Sequence, residues 1–260
     1  MSKHQSVEDL FQIGTRLAEL VVWRLKQTSF STEIEKAGYP ACIMFYFCKS
    51  YKSFQAIRIL WQKGYEEDAV VLSRTVFESS LLSAYVRGAP TERAAAFWKY
   101  EAVSKHRIYE DMKRISPGDW CKDFEGSDAY AAMKECYEEC AADYGKNPKS
   151  WYGMTLFDVA KMLGPGAEHF YRTFYRISSE LTHSGSASSG MLLSWDESML
   201  AGNCYPRSSG ETVIVRMLTG WLLLQIKILI DAMDLDLQDA YVTSQRQLQE
   251  WDFLEEEASA

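Results

Sequence analysis

The chain has 260 residues, of which 47% are apolar, 25% charged and 13% aromatic; this composition supports a folded core and excludes disorder outside the ends. Its formal net charge of −8 excludes an extended basic footprint for duplex nucleic acid but leaves room for a small local basic site. The N-terminal "MSKHQSVEDLFQ" has no apolar stretch of the kind that directs export. Six cysteines without a CxxC pair then point to free thiols in a reducing cytoplasm.

Apolar residues recur at helical spacing nearly throughout. A capping box from Ser6 to Asp9 starts a first helix over 7–27, with Leu10, Ile13, Leu17, Leu20 and Leu25 following at helical spacing. The second helix is expected from about Pro40 to Gln62, stopping at Gly64. The third covers "EEDAVVLSRTVFESSLLSAYV" and ends before Gly88. Thr91 opens a fourth that reaches about Ile115, where "SPGDW" breaks the pattern. Further helices are expected at 127–143, at 155–163 (capped by Thr155 with Asp158), and at 167–183, 210–234 and 237–252. Residues 184–210 read as one long irregular connection, a length that usually goes with function or mobility. No stretch alternates apolar and polar residues for long enough to make a sheet, so the chain reads as an all-α multi-helix bundle in a single domain.

The most apolar window, "VIVRMLTGWLLLQIKILIDAM" over 213–233, is interrupted by Arg216, Gln225 and Lys227. Each such cation costs about 2.5–3.5 kcal/mol at a bilayer centre. A central core helix is the expectation, with no membrane as partner.

On the 167–183 helix, Arg172, Arg176, Ser179 and His183 fall on one face, and Phe170, Phe174, Ile177 and Leu181 roughly on the other. The polar face should therefore meet solvent, a cleft or a partner subunit. An imidazole there can move a proton to or from a ribose 2′-hydroxyl or a leaving oxygen, while a guanidinium holds the phosphate and stabilises its growing charge. That division of labour calls for neither metal nor cofactor. The same spacing also suits two polar residues on a wet surface, and both readings stand here.

Arg74 and Glu78 in "SRTVFESS" lie one turn apart on the face that carries Val70, Val71, Phe77 and Leu81. A charge on an apolar stripe must be paired to be tolerated. The pair is either an internal ion pair holding helices in register or part of the wall of a site, and burial is expected in both cases. Asp231, Asp234, Asp236 and Asp239 cluster before the last helix, where Asp236 and Asp239 are read as capping and charging its start. Cys136 and Cys140, one turn apart, are read as thiols and not as zinc ligands. Glycine-rich phosphate loops, a Gly-x-Ser-x-Gly elbow and His-Glu-x-x-His are absent, which removes nucleotide-loop enzymes, standard hydrolases and zincins.

"LWQKGYEEDAVVLSRTVFESSLL" resembles the signature of a bacterial helical domain of unknown function, in which a "G…A…R…E" helix is paired with a later "Y…S…H-S" segment, here "FYRISSELTHSG". The resemblance covers about residues 40–235, with the helices at 7–27 and 237–252 expected to pack on that core. The later segment also resembles the motif of the HEPN superfamily, an Arg and a His separated by four to six residues. By that resemblance Arg176 is the motif Arg and His183 the motif His, on a HEPN-like core with additional helices. It implies a homodimer that cleaves RNA at its interface without metal, in the manner of toxin or phage-defence ribonucleases. Arg172, Tyr175 and Ser179 would position the RNA, Arg74 and Glu78 would support the site, and an antitoxin or regulatory protein is a possible partner. The other reading is a non-catalytic helical module that binds a partner protein or small ligand near Arg74, Glu78 and the 184–210 connection.

Overall fold

The computed structural model describes residues 3–28, 34–144, 150–182, 193–196, 199–202 and 212–259. They form an all-α, multi-helix protein whose chain order is α1 (Lys3–Gln27), α2 (Ile34–Gln62), α3 (Glu66–Arg87), α4 (Pro90–Ile115), α5 (Asp119–Glu125), α6 (Asp128–Tyr144), α7 (Leu156–Leu163) and α8 (Pro165–Phe170). A π-helical turn (Tyr171–Tyr175) leads into α9 (Arg176–Thr182). The hairpin strands β1 (Leu193–Asp196) and β2 (Met199–Gly202) follow, then α10 (Thr212–Ala232) and α11 (Gln238–Ser259).

α10 is the central strut. Leu218, Leu222, Ile226, Ile228 and Ile230 have no exposed surface, because α1, α2, α3 and α11 all pack against this helix. The helix is long and apolar enough to span a bilayer by length and composition, with a mean hydropathy of 1.9 in its most apolar window. Packing against four neighbours gives its apolar faces another use. Three hydrogen bonds stitch it in place: Thr219 Oγ1 donates to the Leu10 carbonyl, Gln225 Nε2 to Ser83 Oγ, and Ser80 Oγ to the Trp221 carbonyl. Gly14 allows α1 to come close, since a Cβ there would stand 2.9 Å from the Phe54 ring and 3.3 Å from Leu222.

α2 and α3 form a hairpin of helices. Gly64, at φ +79°, takes the left-handed conformation that ends α2, and the Tyr65 amide donates back to the Leu60 carbonyl, a six-to-one closure of the last turn. Tyr65 precedes three acidic residues, Glu66, Glu67 and Asp68, in the first turn of α3, where the helix dipole favours them.

Several boundaries differ from the sequence reading. α1 begins at Lys3, ahead of Ser6, and α2 begins at Ile34, so Pro40 is an interior residue and not the helix start. Proline removes one backbone donor but keeps helical φ, so it ends a pattern in sequence without ending a helix here. After "SPG" the chain forms α5, a seven-residue helix that apolar periodicity alone is too short to reveal. Within 184–210, Leu193–Asp196 pairs antiparallel with Met199–Gly202, Leu193 opposite Gly202 and Asp196 opposite Met199. Leu193–Asp196 alternates for only four residues, the lower limit of that signal, and Met199–Gly202 does not alternate. Asp239 does sit in the first turn of the last helix, but that helix starts at Gln238, so Asp236 precedes it.

An ion pair ties the first two helices together on the outside. The Glu8 carboxylate accepts hydrogen bonds from Arg58, Gln12 and Gln62. Partial burial pushes the Glu8 carboxyl up, but these three partners and the Arg58 charge outweigh it and hold it below 4.5. A folded value below the unfolded one means that the contribution is present above about pH 4.5 and is lost as pH falls through the folded value. Thermal midpoints measured from pH 6 down to pH 3 should fall more steeply for wild type than for Glu8→Gln, by an amount below about 1 kcal/mol because both groups are partly solvated. Parallel curves would show that the pair contributes nothing.

Candidate functional site

Helix α3 and the segment from α8 to α9 pack side by side, which brings together residues about a hundred positions apart in sequence. Phe77 on α3 is fully buried and sits with its ring centroid 4.7 Å from Phe170, 5.0 Å from Trp221 and 5.7 Å from Tyr175. This aromatic cluster fixes the distance between the two elements. At this level α3 presents Glu78, the residue after Phe77, and, about one turn earlier, Arg74.

Both charges are engaged with Tyr175. Arg74 Nη2 donates to Tyr175 Oη at 2.8 Å, and that hydroxyl donates to Glu78 Oε1 at 2.7 Å. Arg74 and Glu78 themselves are 3.5 Å apart, and the guanidinium carbon lies 4.6 Å from the centre of the Tyr175 ring. The expectation of a paired Arg74 and Glu78 thus holds, whereas full burial does not: the side chains keep 18% and 31% exposure. The Tyr175 ring lies 4.6 Å from the guanidinium carbon and its hydroxyl meets one carboxylate oxygen, which shields the pair there while part of its surface stays open. Arg74 Nε is the exception, a buried donor with no hydrogen-bond partner among the described residues.

Burial, then the hydrogen bond to Glu78, then the Glu78 charge push the Tyr175 hydroxyl well above its ordinary value, against the opposing pull of Arg74. Tyr175 therefore stays protonated at physiological pH, a donor and not a base. Removing only that hydroxyl, in Tyr175→Phe, should cost about 1–2 kcal/mol in urea unfolding, since the ring contacts remain while the carboxylate loses a short partner. An unchanged midpoint would show that Arg74 and Glu78 close the gap without it.

The π-turn sets what lies beyond. Its i→i+5 bonding differs from the α pattern, so the single face inferred for a regular 167–183 helix is interrupted at Tyr171–Tyr175. Phe170 and Phe174 are buried, and Arg172 and Arg176 are exposed. Tyr171 stacks on Tyr175 at 4.6 Å with a 20° interplanar angle, and meets Phe157 of α7 at 5.3 Å. Burial raises the Tyr171 hydroxyl, while the charges of Arg74 and Arg176 draw it down. Both guanidinium groups therefore act on the same small region.

Arg172 is held by Glu168, with Nε and Nη2 each 2.8 Å from Oε1, and its guanidinium sits 4.6 Å from the Phe157 ring centre. Ser179 is half-buried. His183 lies outside the described residues. The structure thus joins Arg74, Glu78 and Tyr175 directly and places Arg172 and Arg176 on the adjoining exposed segment. Sequence reasoning passed over Tyr171, Phe157 and the fully buried Ser178, whose Oγ donates to the Tyr175 carbonyl at 2.9 Å. The seven-residue run from Phe170 to Arg176, with four aromatics and two arginines, was the available signal for the first of these.

A family model described as a family of unknown function, DUF5677, matches residues 41–199. The chain belongs to this family. The match takes in Arg74, Glu78, Arg172, Tyr175, Arg176, Ser179 and His183. Its upper bound falls short of the expected 235, so α10, which the DUF5677 segment packs around, lies beyond the matched residues. No curated protein and no solved structure matches the chain.

Proposed function

We propose that this DUF5677 member is a metal-independent endoribonuclease of the toxin or phage-defence type, acting in the cytoplasm as a homodimer with a HEPN-like site. His183 is assigned as general acid or base and Arg176 as the ligand of the scissile phosphate. The observation that carries the reading is the exposure of Arg176 immediately after a π-turn whose Tyr175 is anchored to Arg74 and Glu78. Such an anchor orients an exposed guanidinium on a short helix that would otherwise be free to shift, and fixed donors are what phosphate recognition requires. Arg172, Tyr175 and Ser179 are assigned to positioning the RNA, with Arg74 and Glu78 behind them. A chain with net charge −8 gains a local cationic site if two copies bring their arginines together, and a regulatory protein such as an antitoxin would cover the same face.

The test is incubation of the purified protein with total cellular RNA, with and without EDTA, comparing wild type with His183→Ala. Cleavage by wild type that persists in EDTA and is lost in the variant is the expected result. A second reading, a non-catalytic helical module for a partner protein or small ligand, is favoured by the way Arg74, Glu78 and Tyr175 satisfy one another. Absence of cleavage by wild type, or equal cleavage by the variant, selects it.

A further inference from the structure

α4 carries a face that its own chain leaves open. Trp98, Glu101, Lys105, Ile108, Met112 and Ile115 follow one another at intervals of three, four, three, four and three, the spacing of a coiled-coil seam. All six are exposed, Ile108 at 60%, Met112 at 52% and Ile115 at 78%. α6 packs on the neighbouring side of the helix, where Tyr109 meets Tyr130 at 5.3 Å and His106 stacks on Tyr137 at 3.9 Å. Beside the seam runs an apolar groove of about 740 Å³, to which α5 and α6 contribute Trp120, Phe124 and Met133. A contiguous apolar surface of this kind marks a contact site.

The two charged members of the seam decide what fits it. Glu101 and Lys105 stand one turn apart and are paired at 2.8 Å, with 56% and 62% exposure. Their charges cancel, so the seam is neutral on a chain whose net charge is −8, and two copies can meet there without setting their acidic excess face to face. Parallel pairing of α4 with a second α4 would set Glu101 on Glu101 and Lys105 on Lys105, an arrangement that like-charge repulsion disfavours. Antiparallel pairing centred at the level of Val103 instead sets each Glu101 opposite the partner's Lys105 and each Trp98 opposite the partner's Ile108. These four layers occupy about 15 Å of helix. Moving the register by one heptad step would set Glu101 on Met112 and Lys105 on Ile108, which buries charge against hydrocarbon. One acid and one base, adjacent in an otherwise apolar seam, are thus complementary to themselves in one orientation and one register. Trp98 Nε1 donates to the Gly38 carbonyl at 2.9 Å, which fixes the indole at the end of the seam before any partner arrives.

We propose that the Trp98–Ile115 seam of α4 is a twofold interface with a second copy of this chain, α4 packing antiparallel on α4 with Glu101 of each copy against the partner's Lys105. The adjoining groove receives apolar side chains of the partner's seam. The surface is formed by other residues than the Arg74–Tyr175 face and does not depend on the function assigned there. A chain that used both faces would assemble as a tetramer.

Sedimentation equilibrium of the full chain tests this. Wild type should self-associate through the seam with a Kd of micromolar order, since one helix pair is a small interface. Lys105→Glu places four carboxylates at the crossing and Glu101→Lys four ammonium groups, and each should weaken association by at least about tenfold. An equimolar mixture of these two variants should regain wild-type association, because every Glu–Lys contact across the interface is restored although neither chain keeps its internal pair. Ile108→Lys should weaken association as well. All three positions are exposed, so circular dichroism and thermal midpoint should stay as in wild type. If the Arg176–His183 face also pairs, each single variant halves the mass of a tetramer and leaves RNA cleavage intact, so failure of this interface and failure of the ribonuclease reading are told apart. The proposal is overturned if wild type is monomeric up to about 100 µM, if Lys105→Glu associates as wild type does, or if the mixture associates no better than either variant alone.

Discussion

Replacing His183 with alanine is expected to lower RNA cleavage by about 10²–10⁴-fold, the usual contribution of a positioned general acid or base. Arg176→Ala is expected to do the same by another route, leaving the charge that builds on the phosphate without its donor. The two variants separate in pH dependence. With the imidazole in place, an ordinary value near 6.5 puts one limb of the rate profile in the neutral range. Arg176→Ala should keep that limb at lower rate, and His183→Ala should lose it. Because Arg176 is exposed, its variant should unfold at the wild-type midpoint, which separates lost chemistry from lost structure. If each site draws on both chains of a dimer, mixing the two inactive variants should return part of the activity. Retention of the neutral limb in His183→Ala would remove that residue from the mechanism.

Leu223→Ala is expected to cost about 2–5 kcal/mol in urea or thermal unfolding, the range for truncating a buried leucine that its surroundings cannot collapse around. Leu223 is 2% exposed in the middle of α10, next to the fully buried Leu222 and Ile226. Helices press on this strut from four directions, so no neighbour can move in without leaving another contact. Val213, at the start of the same helix and 57% exposed, is the internal comparison: Val213→Ala should change stability by less than about 0.5 kcal/mol. A loss at Leu223 as small as that at Val213 would mean that the centre of α10 is not the core of this protein.

Local chemistry was enough to determine much of this protein from its sequence. The capping box of Thr155 and Asp158 forms as expected, with Thr155 Oγ1 accepting from the Asp158 amide and the Asp158 carboxylate accepting from the Thr155 amide. Gly64 stops α2 for a reason contained in one residue, its freedom to adopt positive φ. The apolar window of α10 betrays its central place because few polar residues interrupt it, and a helix apolar on most sides packs into a core, here with 56% of that window buried. Arg74 and Glu78 are paired because charges on an apolar stripe require partners, a rule that needs no coordinates.

Tertiary structure decided what depends on partners distant in sequence. That Tyr175 bridges Arg74 and Glu78 follows from the docking of α9 and its π-turn on α3, across about a hundred residues. The π-turn itself is invisible to a periodicity argument that assumes 3.6 residues per turn, and it alters which side chains share a face. The half-exposure of the Arg74–Glu78 pair depends on what packs against that face of α3, above all the Tyr175 ring from a distant segment. The apolar groove lined by residues of α4, α5 and α6 arises only when these helices are packed together, since the residue spacing within one helix does not say what it will oppose. Sequence determines the faces of a helix through its own repeat, and only packing determines what each face meets.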